Sequence, residues 1–282
     1  MSEPKNLHKN IDPEVVRGFG DEWSRFTYIN LNEKVLEQMF SDYFSLLDWS
    51  RLPPKAVCAD LGCGSGRWSK FVAQRVGHLI LVDASPEALE VAKINLKNFT
   101  NVSFINSSIE DLPIENESLD FAFCLGVLHR MPNPAAGIDS IAAKLKKGAP
   151  CLIYVYYAFD NRCFIYQILW GCSDWIRRLV SRLPYILRFF ISQIISIFIY
   201  WPLARMALLL DYLRLLPDSW PLAYYRDKPF YVMRNDALDR FETKLEHRFS
   251  RFEINEMLTN AGFNNIRFSD RPPYWCTLAI KS

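Results

Sequence analysis

The sequence is poor in the residues that build metal centres. It holds four histidines and seven cysteines among 282 residues. No histidine stands at metal-ligand spacing from another His or Cys, and no CxxC pair occurs. No metal site is expected. The odd set of cysteines (Cys58, Cys63, Cys124, Cys151, Cys163, Cys172, Cys276) has no framework spacing, which argues for reduced thiols rather than a disulfide scaffold. Charge of one sign is lacking too. A net charge of +2 does not suggest a nucleic-acid surface, so no nucleic-acid partner is expected. Residues Met1 to Asn10 are polar and lack the apolar core of a signal peptide, so a cytoplasmic location is expected. No internal repeat or low-complexity stretch stands out.

What is present is apolar and periodic. Half of the residues are apolar and 15% are aromatic, enough for a sizeable core. A short aromatic segment, Arg17 to Phe26, precedes an amphipathic helix over Leu31 to Trp49, which Pro53-Pro54 ends. Strands and helices then alternate. Strands are expected at Ala56–Leu61, His78–Val82, Val102–Asn106, Leu119–Leu125 and Cys151–Tyr157. Helices are expected at Ser65–Val76, from Ser85-Pro86 onward, and at Pro134–Lys147. After Tyr157 the pattern gives way to a long apolar helical region, Asp160 to about Leu216. It returns at Ser250-Arg-Phe-Glu253, a capping box. Two strands close the chain, near Asn265–Ser269 and Tyr274–Ile280. This order predicts an α/β fold: a doubly wound, seven-stranded, mostly parallel sheet with a helical insertion after strand five. The expected divisions are 1–50 as an N-terminal lid region, 51–158 with 241–282 as the core, and 159–240 as a helical cap.

The first strand runs into Asp60-Leu-Gly-Cys-Gly-Ser-Gly66 and then a helix. Such glycines allow a tight turn and close approach of a ligand to the backbone. Alone the motif is weak. Here Asp83 ends the next strand, 17 residues after Gly66, where an acid can accept bonds from ribose hydroxyls. Asp60 refines the reading further. An anion beside the loop repels a pyrophosphate but suits a ligand with an ammonium group, a ribose and no phosphate.

At this point the chain resembles a known family. Asp60–Gly66 looks like the first motif of class I S-adenosylmethionine-dependent methyltransferases. Leu81-Val-Asp-Ala-Ser85 resembles their ribose-binding strand end, and Ser108-Ile-Glu-Asp-Leu-Pro113 their adenine-lining segment. Leu119 to Pro132 resembles the fourth strand and its loop, and Leu145-Lys-Lys-Gly148 the turn before strand five. The resemblance is closest to the ubiquinone/menaquinone C-methylase-like group and covers about Val57 to Tyr157. It implies a Rossmann-like methyltransferase fold with S-adenosyl-L-methionine as cofactor. The implied cofactor-binding residues are Asp60, Gly62, Cys63, Gly64, Gly66, Asp83, Ala84, Ser108, Ile109 and Leu125. Ser108 stands where the family often has Asp on the adenine amino group; its hydroxyl can accept that bond, with Ile109 adding a backbone N–H and an apolar surface.

Methyl transfer is an in-line displacement at a carbon the sulfonium already activates, so the protein mainly positions and, for weak nucleophiles, supplies a base. His129 and Tyr157 are the candidate catalytic residues. His129 lies just past strand four and titrates near neutrality. Tyr156 and Tyr157 end strand five at the ligand-binding edge. Phe19, Gly20, Trp23 and Phe26 are expected to fold over the cofactor or to tether the N-terminus. Asp236, Asp239, Arg240 and Arg248 are read as surface ion pairs, with orientation of an acceptor as the alternative.

The insertion is greasy and basic. Phe189 to Ala204 is 16 residues without a charge, bounded by Arg188 and Arg205 and interrupted by Pro202. That is short for a span of about 20 residues. From Asp160 to Leu216, seven arginines face three aspartates, a net of +4. The expected acceptor is a small molecule, aromatic or lipophilic, held under the cap. Peripheral contact of 161–216 with a membrane is the second reading of the segment. Two alternatives stay open for function: a membrane-associated methyltransferase of a quinone-like or prenyl lipid, and a cofactor-binding partner subunit without methyl transfer. The sequence does not indicate an oligomeric state.

Overall fold

In a computed structural model of the chain, residues 10–29, 31–160, 164–217 and 220–282 are described. The polar leader up to Lys9, Arg162 and Cys163 lie outside them. The chain forms two units, residues 1–158 with 245–282, and residues 159–244.

The first unit is built on seven strands: β1 (Val57–Leu61), β2 (His78–Asp83), β3 (Val102–Asn106), β4 (Phe121–Leu125), β5 (Pro150–Tyr154), β6 (Phe263–Phe268) and β7 (Cys276–Lys281). Their order is β3-β2-β1-β4-β5-β7-β6, with β7 antiparallel to both neighbours. Central strands β1 and β4 are almost wholly buried, which is why they read as continuous apolar runs rather than alternating ones. Strand order reverses between β1 and β4, which pair with each other but lead to opposite halves of the sheet. A crevice opens at the carboxyl ends of the strands at such a point, and ligands of open α/β sheets bind there.

Helices in this unit are α1 (Pro13–Arg25), α2 (Glu33–Phe44), α3 (Ser69–Ala73), α4 (Pro86–Asn95) and α5 (Pro134–Lys144). The aromatic segment expected before the core is thus a helix. Asp12 caps α1, accepting the amides of Glu14 at 2.9 Å and Val15 at 3.3 Å, and Pro13 sits in the first turn. Helix α2 lays Phe40 and Phe44 on one side of the sheet, where their rings lie 4.9 Å from Phe71 and 5.2 Å from Phe123. Removing such a ring costs about 3–5 kcal/mol.

Three expected elements are shorter than the sequence suggests. Helix α3 starts at Ser69, not Ser65, because Gly66 turns through a left-handed φ of +69°. Strand β4 starts at Phe121, with Leu119 making only an isolated bridge to Leu145. Strand β5 ends at Tyr154, and Tyr157 bridges instead to Phe249.

The second unit contains α6 (Phe164–Val180), α7 (Tyr185–Ile195), α8 (Trp201–Tyr212) and α9 (Phe230–Glu242). Pro202 does not interrupt the helix. A π-turn over Ser196–Tyr200 joins α7 to α8 and puts Pro202 in the first turn of α8, where a missing N–H is tolerated. Val180, Tyr200, Ala204, Met233, Ala237 and Phe241 form its core. Asp236 and Arg240 are not surface ion pairs. They lie on α9, where Asp236 accepts the Tyr225 hydroxyl at 2.9 Å and Arg240 is buried. In the first unit, α10 (Arg251–Asn260) begins at the expected capping box. Six cysteines are described, all free; only Cys172 is exposed.

Candidate cofactor-binding cleft

The loop after β1 is shaped by contacts on both sides. Gly62 has φ +81°, and a Cβ there would lie 2.3 Å from Val127 Cγ2. Gly64 has φ +53°, and its Cβ would lie 2.7 Å from the Trp23 ring. Only glycine fits such positions without strain. Four of the loop's amides are already engaged. Those of Gly62 and Cys63 donate to the Val82 carbonyl at 2.7 and 3.0 Å, and that of Gly66 to the Cys63 carbonyl at 2.9 Å. The Gly64 amide donates to Asp83 Oδ2 at 2.8 Å, while Asp83 Oδ1 accepts the Ser85 amide at 2.9 Å.

This arrangement decides between cofactor classes. A pyrophosphate needs unengaged amides at the loop. Here those of Gly62, Cys63, Gly64 and Gly66 are occupied, and two carboxyls, buried Asp60 and half-buried Asp83, stand close by. Burial raises the Asp83 carboxyl above its ordinary range, with the amides of Ser85, Gly64 and Ala84 pulling the other way. Burial likewise pushes Asp60 up to about 7, opposed by the Ser69 hydroxyl that bonds to it and reinforced by the charge of Asp83. The site fits a cationic nucleoside without phosphate.

A cavity of about 120 Å³ opens above the loop. Of the sequence-predicted cofactor residues, Gly62, Asp83, Ala84, Ser108, Ile109 and Leu125 line it. Asp60, Cys63, Gly64 and Gly66 do not. They form the loop and its support, Asp60 bonding Ser69 behind it. Ser108 accepts the Asp111 amide at 3.1 Å, so its hydroxyl also shapes the turn beside the cavity.

Opposite the sheet, the cavity is closed by α1, from which Val15, Val16, Phe19 and Trp23 face it. Gly20 packs against α4, where a Cβ would meet the Ser85 hydroxyl at 2.9 Å, and Phe26 is buried in the core. The expected aromatic cover is therefore a helix with Phe19 and Trp23 as its inner face. Sequence reasoning missed Asn10. This buried residue bonds Asn133 twice, donating Nδ2–H to its carbonyl at 2.8 Å and accepting its amide at 2.7 Å. Asp12 followed by Pro13 and Glu14 is a helix-start signal that could have revealed α1; nothing in sequence pointed to its clasp.

On the acceptor side, His129 and Tyr157 are separated. His129 is buried, does not reach the cavity wall, and stacks on Tyr156 at 3.9 Å. Burial holds the imidazole well below its ordinary pKa, and the charges of Arg130, Arg248 and His247 add to this. Among the described residues neither of its ring nitrogens has a hydrogen-bond partner. Its neighbour Arg130 does line the cavity, and Arg130 Nη2 donates to the Tyr156 hydroxyl at 3.4 Å. Arg248, read from sequence as a surface ion-pair member, is largely buried. It holds Glu246 at 2.9 Å and the Tyr157 carbonyl at 3.2 Å, and lies 4.9 Å over the Tyr156 ring. Tyr157 points elsewhere, packing on Tyr274 and Trp275 at 5.6 and 6.2 Å between ring centres. No group of three or more His, Cys, Asp or Glu that could hold a metal is found among the described residues.

Residues 58–148 match the methyltransferase domain family. Among curated relatives, a ubiquinone biosynthesis O-methyltransferase of Vibrio vulnificus is 32% identical over 159 residues, 55% of this chain and 65% of that protein. Its counterpart in Hahella chejuensis is 29% identical over 163 residues, 57% and 68% respectively. The match to the Vibrio protein thus spans just under two thirds of that relative's length. Human N-acetylserotonin methyltransferase, solved in complex with its S-adenosylmethionine, superposes with a TM-score of 0.54 at 16% identity, covering 95% of this chain and 58% of that one. A methyltransferase-fold protein of Bacillus halodurans gives 0.50 at 16% identity, covering 80% and 70%. These two share the fold. Residues 58–148, which hold the glycine loop, the Asp83 strand end and the centre of the sheet, are thus similar to a methyltransferase domain, in line with the resemblance read from the sequence.

Proposed function

We propose that the chain transfers a methyl group from S-adenosylmethionine to an oxygen of an aromatic, lipophilic acceptor. The observation that carries the donor half is Asp83. Its two oxygens are fixed by the amides of Gly64 and Ser85 at the edge of a cavity whose loop already spends four of its amides on the protein. The choice of oxygen and of a lipophilic aromatic follows the names of the Vibrio and Hahella relatives.

The cofactor, when bound, supplies an electrophilic methyl on a sulfonium. Asp83 is assigned the ribose hydroxyls. Ser108 and Ile109 are assigned the base, and the loop with Asp60 the methionine end. Helix α1 excludes water through Phe19 and Trp23. His129 does not reach the cavity wall, so it is assigned the support of Tyr156, on which it stacks, rather than the acceptor's proton. Tyr157 is assigned a packing role only, from its contacts with Tyr274 and Trp275.

The test is incubation of the purified chain with methyl-labelled cofactor and a panel of phenols and catechols with and without a prenyl tail. Label is expected in a methyl ether, and Asp83→Ala should abolish both cofactor binding and transfer. Tight cofactor binding with no labelled product from any acceptor or from a cell extract would favour a non-catalytic subunit.

A further inference from the structure

The helices of the second unit are built the wrong way round for water. On α6, the buried face carries Asp174 and Arg177. Arg177 Nε donates to Asp174 Oδ1 at 2.8 Å, and Nη1 donates to the Thr243 carbonyl at 2.8 Å. Its exposed face carries Ile168, Leu169, Trp175, Ile176 and Leu179, with Trp175 65% exposed. Through α7 and α8 the same inversion holds. Ser192, Ser196, Ala204 and Ala207 are wholly buried, while Ile186, Phe190, Ile194, Ile197 and Phe198 are exposed, Phe198 by 72%. A helix on a water-facing surface turns its large apolar side chains inward. Small and polar residues inside with large apolar ones outside is the packing of helices whose surroundings are as apolar as their own side chains. Among the described residues, every exposed large apolar side chain except Ile29, Ile94 and Phe252 lies between Phe164 and Leu215.

We propose that this unit is a monotopic membrane-binding module, lying in the plane of a bilayer that contains anionic phospholipids. Charge selects the lipid. Between Asp160 and Leu216 the cations are seven arginines, with no lysine or glutamate and a net charge of +4. Arg182 and Arg214 are exposed, as is Arg178, which also holds Asp174 at 2.8 Å. Guanidinium groups pair with phosphate oxygens in fork geometry, and basic residues near an anionic leaflet each strengthen binding.

Connectivity selects the depth. Tyr185–Tyr212 is the one helix among the described residues with the length and apolar composition of a span, 28 residues. Both ends of the unit join the same first unit, at Ala158 and Leu245. A single crossing would leave those ends on opposite sides, so a second crossing would be needed. Helix α6 carries Asp174, Arg177 and Arg178, and α9 carries Arg234, Asp236, Asp239 and Arg240 in 13 residues. Neither can complete a hairpin through a hydrocarbon core about 30 Å thick. The apolar face therefore enters one leaflet and stops there.

The unmodified chain should float with vesicles of phosphatidylcholine and phosphatidylglycerol, and far less with phosphatidylcholine alone. Phe190→Glu with Phe198→Glu alters only exposed side chains. It is expected to reduce flotation by roughly tenfold or more while cofactor binding is unchanged. Cys172, exposed on α6, provides a second readout that needs no change to the apolar face. In a Cys163→Ser background, an environment-sensitive fluorophore on Cys172 should shift to the blue when anionic vesicles are added. No flotation with either vesicle and no spectral shift would overturn the proposal. So would conversion of an oligomer to a monomer by the double substitution with vesicle recovery unaltered, which would assign the face to a second copy of the chain.

Discussion

The indole of Trp23 lies so close to Gly64 that a methyl group on that glycine would fall 2.7 Å from the ring. One residue belongs to the N-terminal helix and the other to the loop after the first strand, so cover and cradle are fitted to each other. The same ring lies 5.0 Å from the guanidinium of Arg67, three residues further along the loop. What happens to the loop must therefore be felt by the helix.

Gly64→Ala tests this coupling. The left-handed φ of +53° costs an L-residue about 1–2 kcal/mol, and the added Cβ displaces Trp23 as well. Cofactor affinity should fall by roughly tenfold or more, since about 1.4 kcal/mol is a factor of ten. Hydrogen exchange should report lost protection across Pro13–Arg25 with the central strands unaffected. Full protection of that helix in the variant would show that the loop absorbs the methyl group alone.

Asp60 carries a stability penalty that depends on pH. Its folded pKa of about 7 lies above that of an ordinary carboxyl. Between the two values the folded state keeps a proton that the unfolded state has lost. Stability is then highest in acid, falls as pH rises from about 4 to 7, and carries the full penalty above. Asp60→Asn retains an acceptor for the Ser69 hydroxyl and removes the charge. Denaturant titrations should find the variant more stable than wild type at pH 8, with the gap closing toward pH 4. Calorimetry should find it weaker for the cofactor, because the methionine ammonium loses its counter-charge.

Which parts of this molecule the chain announces follows from the range of the forces involved. The sheet and the glycine loop are set by local rules: Asp60–Gly66 fixes a turn, Ser85-Pro86 starts a helix, and Ser250 with Glu253 closes a capping box. These are legible within a few residues. The separation of His129 from Tyr157 is not. Both stand at the right sheet edge, yet their directions depend on Phe249 bridging Tyr157 and on Arg248 bonding its carbonyl, contacts about 90 residues away in the chain. Helix α9 was hidden for another reason. Its charged residues Asp236 and Arg240 suggest a solvent face, but inside the unit the Tyr225 hydroxyl bonds Asp236 and the Asp174 carboxylate lies 3.9 Å from Arg240. The apolar character of the insertion was plain in sequence; that its polar residues face inward was not.

His129 makes two predictions with one substitution. Its imidazole is held neutral in the fold, so below an unfolded pKa of about 6.5 the unfolded state takes up a proton that the folded state refuses. That contribution destabilises the chain as pH falls from about 6.5 and is absent above it. His129→Phe keeps a ring to stack on Tyr156 and removes the titration. Thermal melts should show the variant losing less stability than wild type between pH 6.5 and 5. With an acceptor identified, kcat and cofactor affinity should change little, since His129 does not line the cavity. A roughly hundredfold loss of kcat would instead show that His129 takes the acceptor's proton and does more than pack on Tyr156.

Asn10 is expected to set how long the cover stays shut. It is 3% exposed and bonds both backbone groups of Asn133, whose side chain caps α5 by accepting the Ala136 amide at 3.2 Å. Asn10→Ala removes two hydrogen bonds, each contributing about 0.5–1.5 kcal/mol, and leaves the Asn133 amide beside the cavity without a protein acceptor. Because Asn10 also lines the cavity just ahead of α1, the loss falls on closure of the helix rather than on the sheet. The expected result is faster cofactor release and a raised KM for the cofactor, with kcat and the global unfolding midpoint little changed. Stopped-flow displacement of bound cofactor separates this from a general loss of fold: a global destabilisation would lower the melting temperature and the release rate constant would no longer be its most sensitive readout. Asn10→Asp should restore only one of the two bonds, since a carboxylate accepts the Asn133 amide but cannot donate to its carbonyl. Its release rate should therefore fall between those of wild type and the alanine variant.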